Sequence, residues 1–317
     1  MFKSEIKSKM GEDISILVKK DNHPWNYICE CGDASDLTVK EVQNTKAIFI
    51  SHTHIDHFIN FDTIIRHQIG IQRRVIVCGP KGIAAQVQAK LKGYTWNLVD
   101  AGAIVYEIRE IQSEQAIKVF EVVPPLWDLK EVGMMVGNTI FDDSSFVVSC
   151  LILDHKTPSI AYQFKERDTI KIDLTKSNFG GGQWIKELKV AFEQKLKNQS
   201  ILIEGKAHKA EDLFHLLYVQ KGDSLGIIMD HAANAANHAK IKQHFFQCEK
   251  VFIESFYKNE DQEQAKLNFH SYASMSAKVM REAAVKIAIP VHFSRKYKKK
   301  EVSELLEEFK QVFEAKE

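Results

Sequence analysis

Runs of β-branched and aromatic residues punctuate this chain at Ala47–Ile50, Arg74–Cys78, Ala103–Ile108, Ile117–Val123, Ser145–Leu153, Ser159–Phe164, Gly226–Met229, Val251–Glu254 and Ile287–Val291. Their length and composition predict strands, and where apolar residues stand at consecutive positions the strand is expected to be buried on both faces. Between the runs the spacing changes to that of a helix, over Lys81–Leu91, Ala273–Ala284 and Val302–Ala315. In the last of these, Val302, Leu305, Leu306, Phe309 and Phe313 share one helical face. Strand and helix in alternation predict an α/β layered fold. The pattern breaks from about Asp168 to Leu217, where lysines multiply, Gly180, Gly181 and Gly182 run together, and Trp184–Leu196 forms an amphipathic segment. This stretch reads as an insertion rather than core.

With 317 residues the chain can bury a large core, and no Pro/Gly/Ser-rich linker divides it. Lys and Arg number 43 against 42 Asp and Glu, a net charge of +1. That excludes a globally basic nucleic-acid binder, so any polyanion has to be met by a local patch. No apolar run reaches the roughly 18 residues that span a bilayer, and no membrane partner is expected. Met1–Met10 has no apolar stretch of the kind that directs export, and five cysteines, an odd number, fit reduced thiols. A cytoplasmic protein is expected. The oddity is 13 histidines, unevenly placed.

Three of them, with a carboxylate, fall within Ser51-His-Thr-His-Ile-Asp-His57, directly after the strand Ala47–Ile50. Polar groups packed this densely at a strand end need partners. A metal supplies them: His at i and i+2 can present nitrogens to one ion while the Asp and His that follow turn toward a second. Other ligand types stand at equivalent places. Asp154-His155 follows Ser145–Leu153, Asp230 follows Gly226–Met229, and His292 follows Ile287–Val291. In an open α/β sheet ligands gather outside the carboxyl ends of strands, so the four segments are expected to converge on one crevice. The donors are N and O with no thiolate, a set that suits zinc and also admits manganese or iron.

These residues resemble the metallo-β-lactamase fold, whose His-x-His-x-Asp-His string is matched by His52, His54, Asp56 and His57, and within it the ribonuclease Z family of tRNA 3′-processing endonucleases. The narrower resemblance rests on stretches in the same order. They are Leu153-Asp-His-Lys-Thr-Pro-Ser-Ile-Ala-Tyr162, the segment Ile170–Lys189 where the family carries an exosite arm, Phe269-His-Ser-Tyr-Ala273, and Pro290-Val-His-Phe-Ser-Arg-Lys-Tyr297. The resemblance implies a single domain over 1–317, an αββα sandwich of two mixed sheets flanked by helices, with an arm protruding over 168–197. It implies two Zn2+ per chain, one held by His52, His54 and His155, the other by Asp56, His57 and His292, with Asp230 bridging them. Asp56 would also orient the attacking water, and His270 would contact the phosphate and protonate the leaving 3′-oxygen. Ser294, Arg295 and Lys296, continued by Lys298, Lys299 and Lys300, would hold substrate, with Lys186 and Lys189 gripping it from the arm. The implied partner is precursor tRNA or another RNA, and the implied assembly a homodimer.

Several positions depart from the family. Met10-Gly-Glu-Asp-Ile-Ser-Ile stands in place of a Gly-Thr-Gly-Ser turn, Ile55 in place of a Gly inside the metal loop, Asp230-His-Ala in place of Asp-Thr-Arg, and Lys296 in place of an Arg. They keep two alternatives open: another phosphodiesterase of this fold acting on small or cyclic nucleotide diesters, and a non-catalytic RNA-binding relative. Cys29-Glu-Cys31 has the wrong spacing for a zinc pair and reads as strand or turn. Among the remaining histidines, only His231, beside Asp230, is placed to support a ligand.

Overall fold

The first eight strands build one sheet in chain order: β1 (Phe2–Ile6), β2 (Ile16–Lys20), β3 (Asn26–Cys29), β4 (Thr45–Phe49), β5 (Arg74–Pro80), β6 (Val105–Ser113), β7 (Ala116–Val122) and β8 (Lys130–Val136). Strands β3 to β6 run parallel, and the outer pairings are antiparallel. The later strands are β9 (Thr139–Asp142), β10 (Phe146–Asp154), β11 (Pro158–Glu166), β12 (Thr169–Ile172), β13 (Ser200–Ile203), β14 (Lys206–Lys209), β15 (Leu217–Gln220), β16 (Ser224–Ile228), β17 (Lys250–Glu254) and β18 (Ile287–Val291). Six of them form a second sheet in the order β18-β17-β16-β11-β10-β9, in which β16, β17 and β18 are parallel. The structure is a computed structural model and describes residues 1–315.

Side-chain alternation sorts these strands into layers. In β4 and just beyond it, Ala47 and Phe49 enter the core between the sheets, whereas Ile48 and Ile50 join a second core with Ile64 and Ile65 of the helix Phe61–Gln68 and Val87 and Leu91 of the helix Ile83–Lys92. In β10, Val148 and Cys150 face the first sheet. Leu151 and Leu153 face a third core with Ala277 and Met280 of the helix Ala273–Glu282 and Leu305 and Phe309 of the helix Lys299–Phe313. Helix, sheet, sheet, helix is the αββα arrangement that the resemblance implies. Between the sheets Tyr27, Phe49, Phe141, Phe146 and Phe164 form an aromatic cluster with centroids 5.1 to 6.2 Å apart, spacings at which edge and offset contacts are favourable. All five cysteines are buried and unpaired, and no helix among the described residues is long and apolar enough to cross a membrane.

The chain divides into two compact units, the layered one comprising Met1–Lys165 and the chain from Asp223 onward, and a smaller one, Glu166–Gly222. The smaller unit contains the expected arm segment 168–197 and extends past it. It has its own core of Trp184, Leu188, Ala191, Ile201, Ile203 and Leu213, under the hairpin β13–β14 and the helix Trp184–Glu193. That helix ends earlier than the amphipathic pattern to Leu196. Lys195 adopts a left-handed φ of 56°, and the Leu196 and Lys195 N–H groups return to the Ala191 and Phe192 carbonyls, a closure that satisfies the last turn without continuing it.

Candidate metal centre

Each expected ligand stands where a strand of the layered unit stops. The chain leaves β4 through buried Ser51 and His52 and turns into the short helix Ile55–Phe58, which presents Asp56 and His57. His155 follows β10, Asp230 follows β16, and His292 follows β18. His292 takes a left-handed backbone with φ of 57°, a conformation that costs a non-glycine residue roughly 1–2 kcal/mol and persists where the surroundings enforce it.

Asp230 divides these side chains into two sets. Its Oδ2 lies 3.7 Å from His52 Nε2 and 3.5 Å from His155 Nε2, while its Oδ1 lies 3.3 Å from His57 Nε2 and 2.9 Å from His292 Nδ1. Asp56 Oδ2 completes the second set at 3.5 Å from His57 Nε2 and 3.4 Å from His292 Nε2. His54 joins the first set, its ring 4.3 Å from that of His52 and 5.2 Å from that of His155. Ligand atoms of His52, His54, His155 and Asp230 fall within 4.8 Å of one another, as do those of Asp56, His57 and His292.

Buried hydrogen bonds decide which nitrogen each ring turns inward. Glu30, fully buried, accepts from the Ser51 N–H at 2.9 Å, the Ser51 hydroxyl at 3.0 Å and His57 Nδ1 at 2.9 Å. Because the Ser51 hydroxyl gives its proton to Glu30, it can only accept from His52 Nδ1, 3.0 Å away. His155 Nδ1 donates to the Phe269 carbonyl at 2.7 Å. All three rings therefore carry a proton on Nδ1 and turn Nε2 inward, the nitrogen a metal would take. Asn237 fixes the strand ends themselves, accepting from the Asp154 N–H and donating to the Asp154 and Ala232 carbonyls, each at 2.9 Å.

His52 Nε2 and His57 Nε2 are buried with no hydrogen-bond partner, and Asp230 Oδ1 and His292 Nδ1 are buried at ion-pair distance from each other. Such atoms are few in a native interior, and four of them facing a common centre fit cations. The charges agree. Burial lowers His52 to about 2, with His57 adding to the effect, so it stays neutral. Burial also works against a charge on His57, but Asp230 and Glu30 outweigh it and raise the group to about 10. The negative charge that holds a proton there is the charge that would hold a divalent ion in its place. Asp230, Glu254 and His270 also cluster, but His270 Nδ1 donates directly to Glu254, so that pair is satisfied without an ion.

The layered architecture and the residues at its strand ends have counterparts among solved structures. A metallo-β-lactamase-fold protein from Bacillus subtilis superimposes with a TM-score of 0.59 over 98% of this chain and 93% of its own, at 11% identity. The chain has the metallo-β-lactamase fold. Within that fold it is also similar to the short form of human tRNase Z, with a TM-score of 0.53 over 89% of this chain and 86% of that one, at 14% identity. In sequence it is 25% identical to a ribonuclease Z of Deinococcus radiodurans over 91% of this chain and 88% of the relative. No family model matches it.

The substrate residues expected on this metallo-β-lactamase scaffold are placed differently from one another. Ser294 is nearly buried, its N–H bonded to the Phe256 carbonyl at 3.0 Å. Arg295 donates to Asp13. The Lys296 ammonium lies 2.8 Å from Asp261 and over the rings of Tyr257 and Tyr297 at 5.1 and 4.9 Å. Lys186 is exposed and Lys189 half-buried on the helix Trp184–Glu193 of the smaller unit. His231 lies buried behind Asp230, its Nδ1 donating to the Met229 carbonyl at 2.9 Å.

Glu30, Glu254 and Asn237 were not anticipated. Glu254 receives His270 Nδ1, the His231 N–H at 3.0 Å and the Ser271 N–H at 3.2 Å. Its signal was present, since it ends an expected strand just as Asp230 and His292 follow theirs. Glu30 carries a weaker one, a lone acid in the apolar surroundings of Cys29-Glu-Cys31.

Proposed function

We propose that this protein is a metal-dependent endoribonuclease of the ribonuclease Z type, hydrolysing a phosphodiester at the 3′ end of precursor tRNA. The observation that carries the reading is the division of Asp230 between two histidine sets, beside an acid and a base suited to the two ends of one scissile bond. Two Zn2+, one with His52, His54 and His155 and the other with Asp56, His57 and His292, sharing Asp230, would supply Lewis acidity at the phosphate and a nucleophile at neutral pH.

The chain's own groups handle the protons and the leaving group. Asp56, a third exposed and held by His57 and His292, accepts the proton of the attacking water. His270 delivers a proton from Nε2 to the departing 3′-oxygen, leaving a 3′-hydroxyl on the tRNA. Burial works against a charged His270, but Glu254 at Nδ1 raises it above the ordinary histidine range. Phe256, stacked on the His270 ring at 4.0 Å and 8°, fixes its plane.

Lys186 and Lys189 would grip RNA backbone away from the cut, which suits folded RNA, read largely by shape and phosphate. A homodimer and a cytoplasmic setting complete the reading. The test is incubation with a 3′-extended tRNA, with and without chelator, and mapping of the product ends. A single chelator-sensitive cut and about two transition-metal ions per chain are expected. Metal-loaded protein that leaves the tRNA whole while hydrolysing small diesters refutes the reading in favour of a small-diester phosphodiesterase.

A further inference from the structure

A cavity of about 780 Å3 opens beside the metal centre and shares Asp56 and His292 with it. Its size is that of a small-ligand site, roughly 300–1,000 Å3. Much of its wall is apolar, including Ile14, Ile55, Phe256, Val302 and Leu306. Ile55 is 74% exposed and Leu306 40% exposed, so both offer apolar surface to a ligand in the cavity. Phe256 has one face against His270 and is 5.1 Å from the His292 ring, so whatever packs on the cavity side touches the wall that orients the catalytic histidine.

Cations stand at the rim. Of the basic residues that line it, Arg295 is engaged by Asp13, Lys296 by Asp261 and Lys9 by Asp36, and the acids Glu12, Asp13 and Asp56 stand in the same lining. Lys298 and Lys299 line the cavity at the start of the helix Lys299–Phe313 and enter no ion pair among the described residues. A flat apolar group attached to an anion matches both the walls and the rim.

We propose that this cavity receives the base of a nucleotide adjoining the scissile phosphate, with Lys298 and Lys299 meeting a neighbouring phosphate. The inference rests on the endoribonuclease reading and adds to it how the substrate is gripped at the cut. With apolar walls, the base is held by packing rather than by edge hydrogen bonds, so the cavity contributes affinity that is tolerant of base identity.

The experiment compares cleavage of a 3′-extended tRNA with cleavage of the same RNA carrying an abasic residue on one side of the cut or the other. Bound-metal content and melting temperature are the reference for a folded, metal-loaded centre, since an aryl diester itself carries a flat apolar group on its phosphate. In the wild type, one abasic substitution is expected to lower kcat/KM about tenfold, mainly through KM. Leu306→Trp, which fills the cavity from an exposed position, should lower RNA kcat/KM by a similar factor with metal content and melting temperature unchanged, and should add little once the base is missing. Insensitivity to both abasic substitutions, or an equal loss for Leu306→Trp on intact and abasic RNA, overturns the cavity's role while leaving the endonuclease reading standing. A metal-loaded wild type that hydrolyses bis(p-nitrophenyl) phosphate but cuts no tRNA overturns both.

Discussion

Replacing Glu30 by Gln keeps the shape of a fully buried side chain and changes one thing, the ability of Oε2 to accept. In the wild type that oxygen takes the Ser51 hydroxyl at 3.0 Å and His57 Nδ1 at 2.9 Å, while Oε1 takes the Ser51 N–H at 2.9 Å. A Gln amide in the same pose preserves the last bond and presents N–H groups to the other two donors. The Ser51 hydroxyl then turns to accept from that amide and gives its proton to His52 Nδ1. That moves the imidazole proton to Nε2, the atom facing Asp230 at 3.7 Å. His57 loses its orienting acceptor at the same time. One ring belongs to each histidine set, so both metal sites should weaken. Loss of an orienting partner costs about 10–100-fold in metal affinity, or about 1.4–2.8 kcal/mol per ion. The assay is zinc competition against a chromophoric chelator, read as two binding constants, beside a thermal melt in excess chelator. Glu30→Gln protein that melts like wild type without metal and still binds both ions with wild-type affinity would refute the tautomer argument.

Three further outcomes are expected. His54→Ala removes an exposed donor from the first set and should abolish diester turnover and bound metal at that site, with the chelator-treated melting temperature unchanged. Asn237→Ala deletes three bonds of 2.9 Å between the ends of β10 and β16, which should cost about 2–4 kcal/mol in urea unfolding, measured by the midpoint at constant slope. At Glu41, burial opposes the charge, but the Thr38 cap and the Lys7 and Lys19 ammonium groups outweigh it and hold the carboxyl at about 2. A carboxyl depressed in the folded state stabilises above its unfolded range near 4.3 and loses that contribution as pH falls toward 2. Glu41→Gln should therefore lower unfolding free energy at pH 7 by about 1 kcal/mol once solvent screening is allowed for, a gap that closes between pH 4.5 and pH 2.

Strands whose apolar residues run together were legible because a buried strand needs no alternation. Those at the margins were not. β1 reads Phe-Lys-Ser-Glu-Ile and β8 is exposed at nearly every position, as edge strands that carry charge tend to be. The helix Phe61–Gln68 buries Phe61, Ile64, Ile65 and Gln68 at helical spacing. Its last buried position is a glutamine, held by the Val42 carbonyl at 3.2 Å and the Tyr106 hydroxyl at 3.0 Å, and that polar residue hides the period. At the centre, His52, His57, His155, Asp230 and His292 were legible because ligand chemistry at strand ends is a local pattern. Glu30 was not, since without β3 nothing marks it as a strand end. The pairing of Arg295 with Asp13 joins residues 282 apart in sequence, and only the folded chain brings them together.

That last pairing changes how a nearly neutral protein can hold a polyanion. Counted along the chain, Arg295 to Lys300 is a largely basic run just after His292. In the fold, its first two members face acids, Asp13 and Asp261, and their charge is largely spent within the protein. Arg295 instead ties the 8–14 loop to the segment that carries His292, and Lys296 ties the Asn259–Asp261 turn to it. Both contacts shape the cavity wall rather than its field. On the proposed reading, the positive charge left to face a phosphate is then concentrated in the metal ions that the residues around Asp230 would hold and in Lys298 and Lys299 at the rim. Two short-range sources at one apolar cavity favour one placement of one phosphodiester, whereas a broad basic face would bind RNA in many registers. A net charge of +1 is therefore compatible with cutting RNA at one bond.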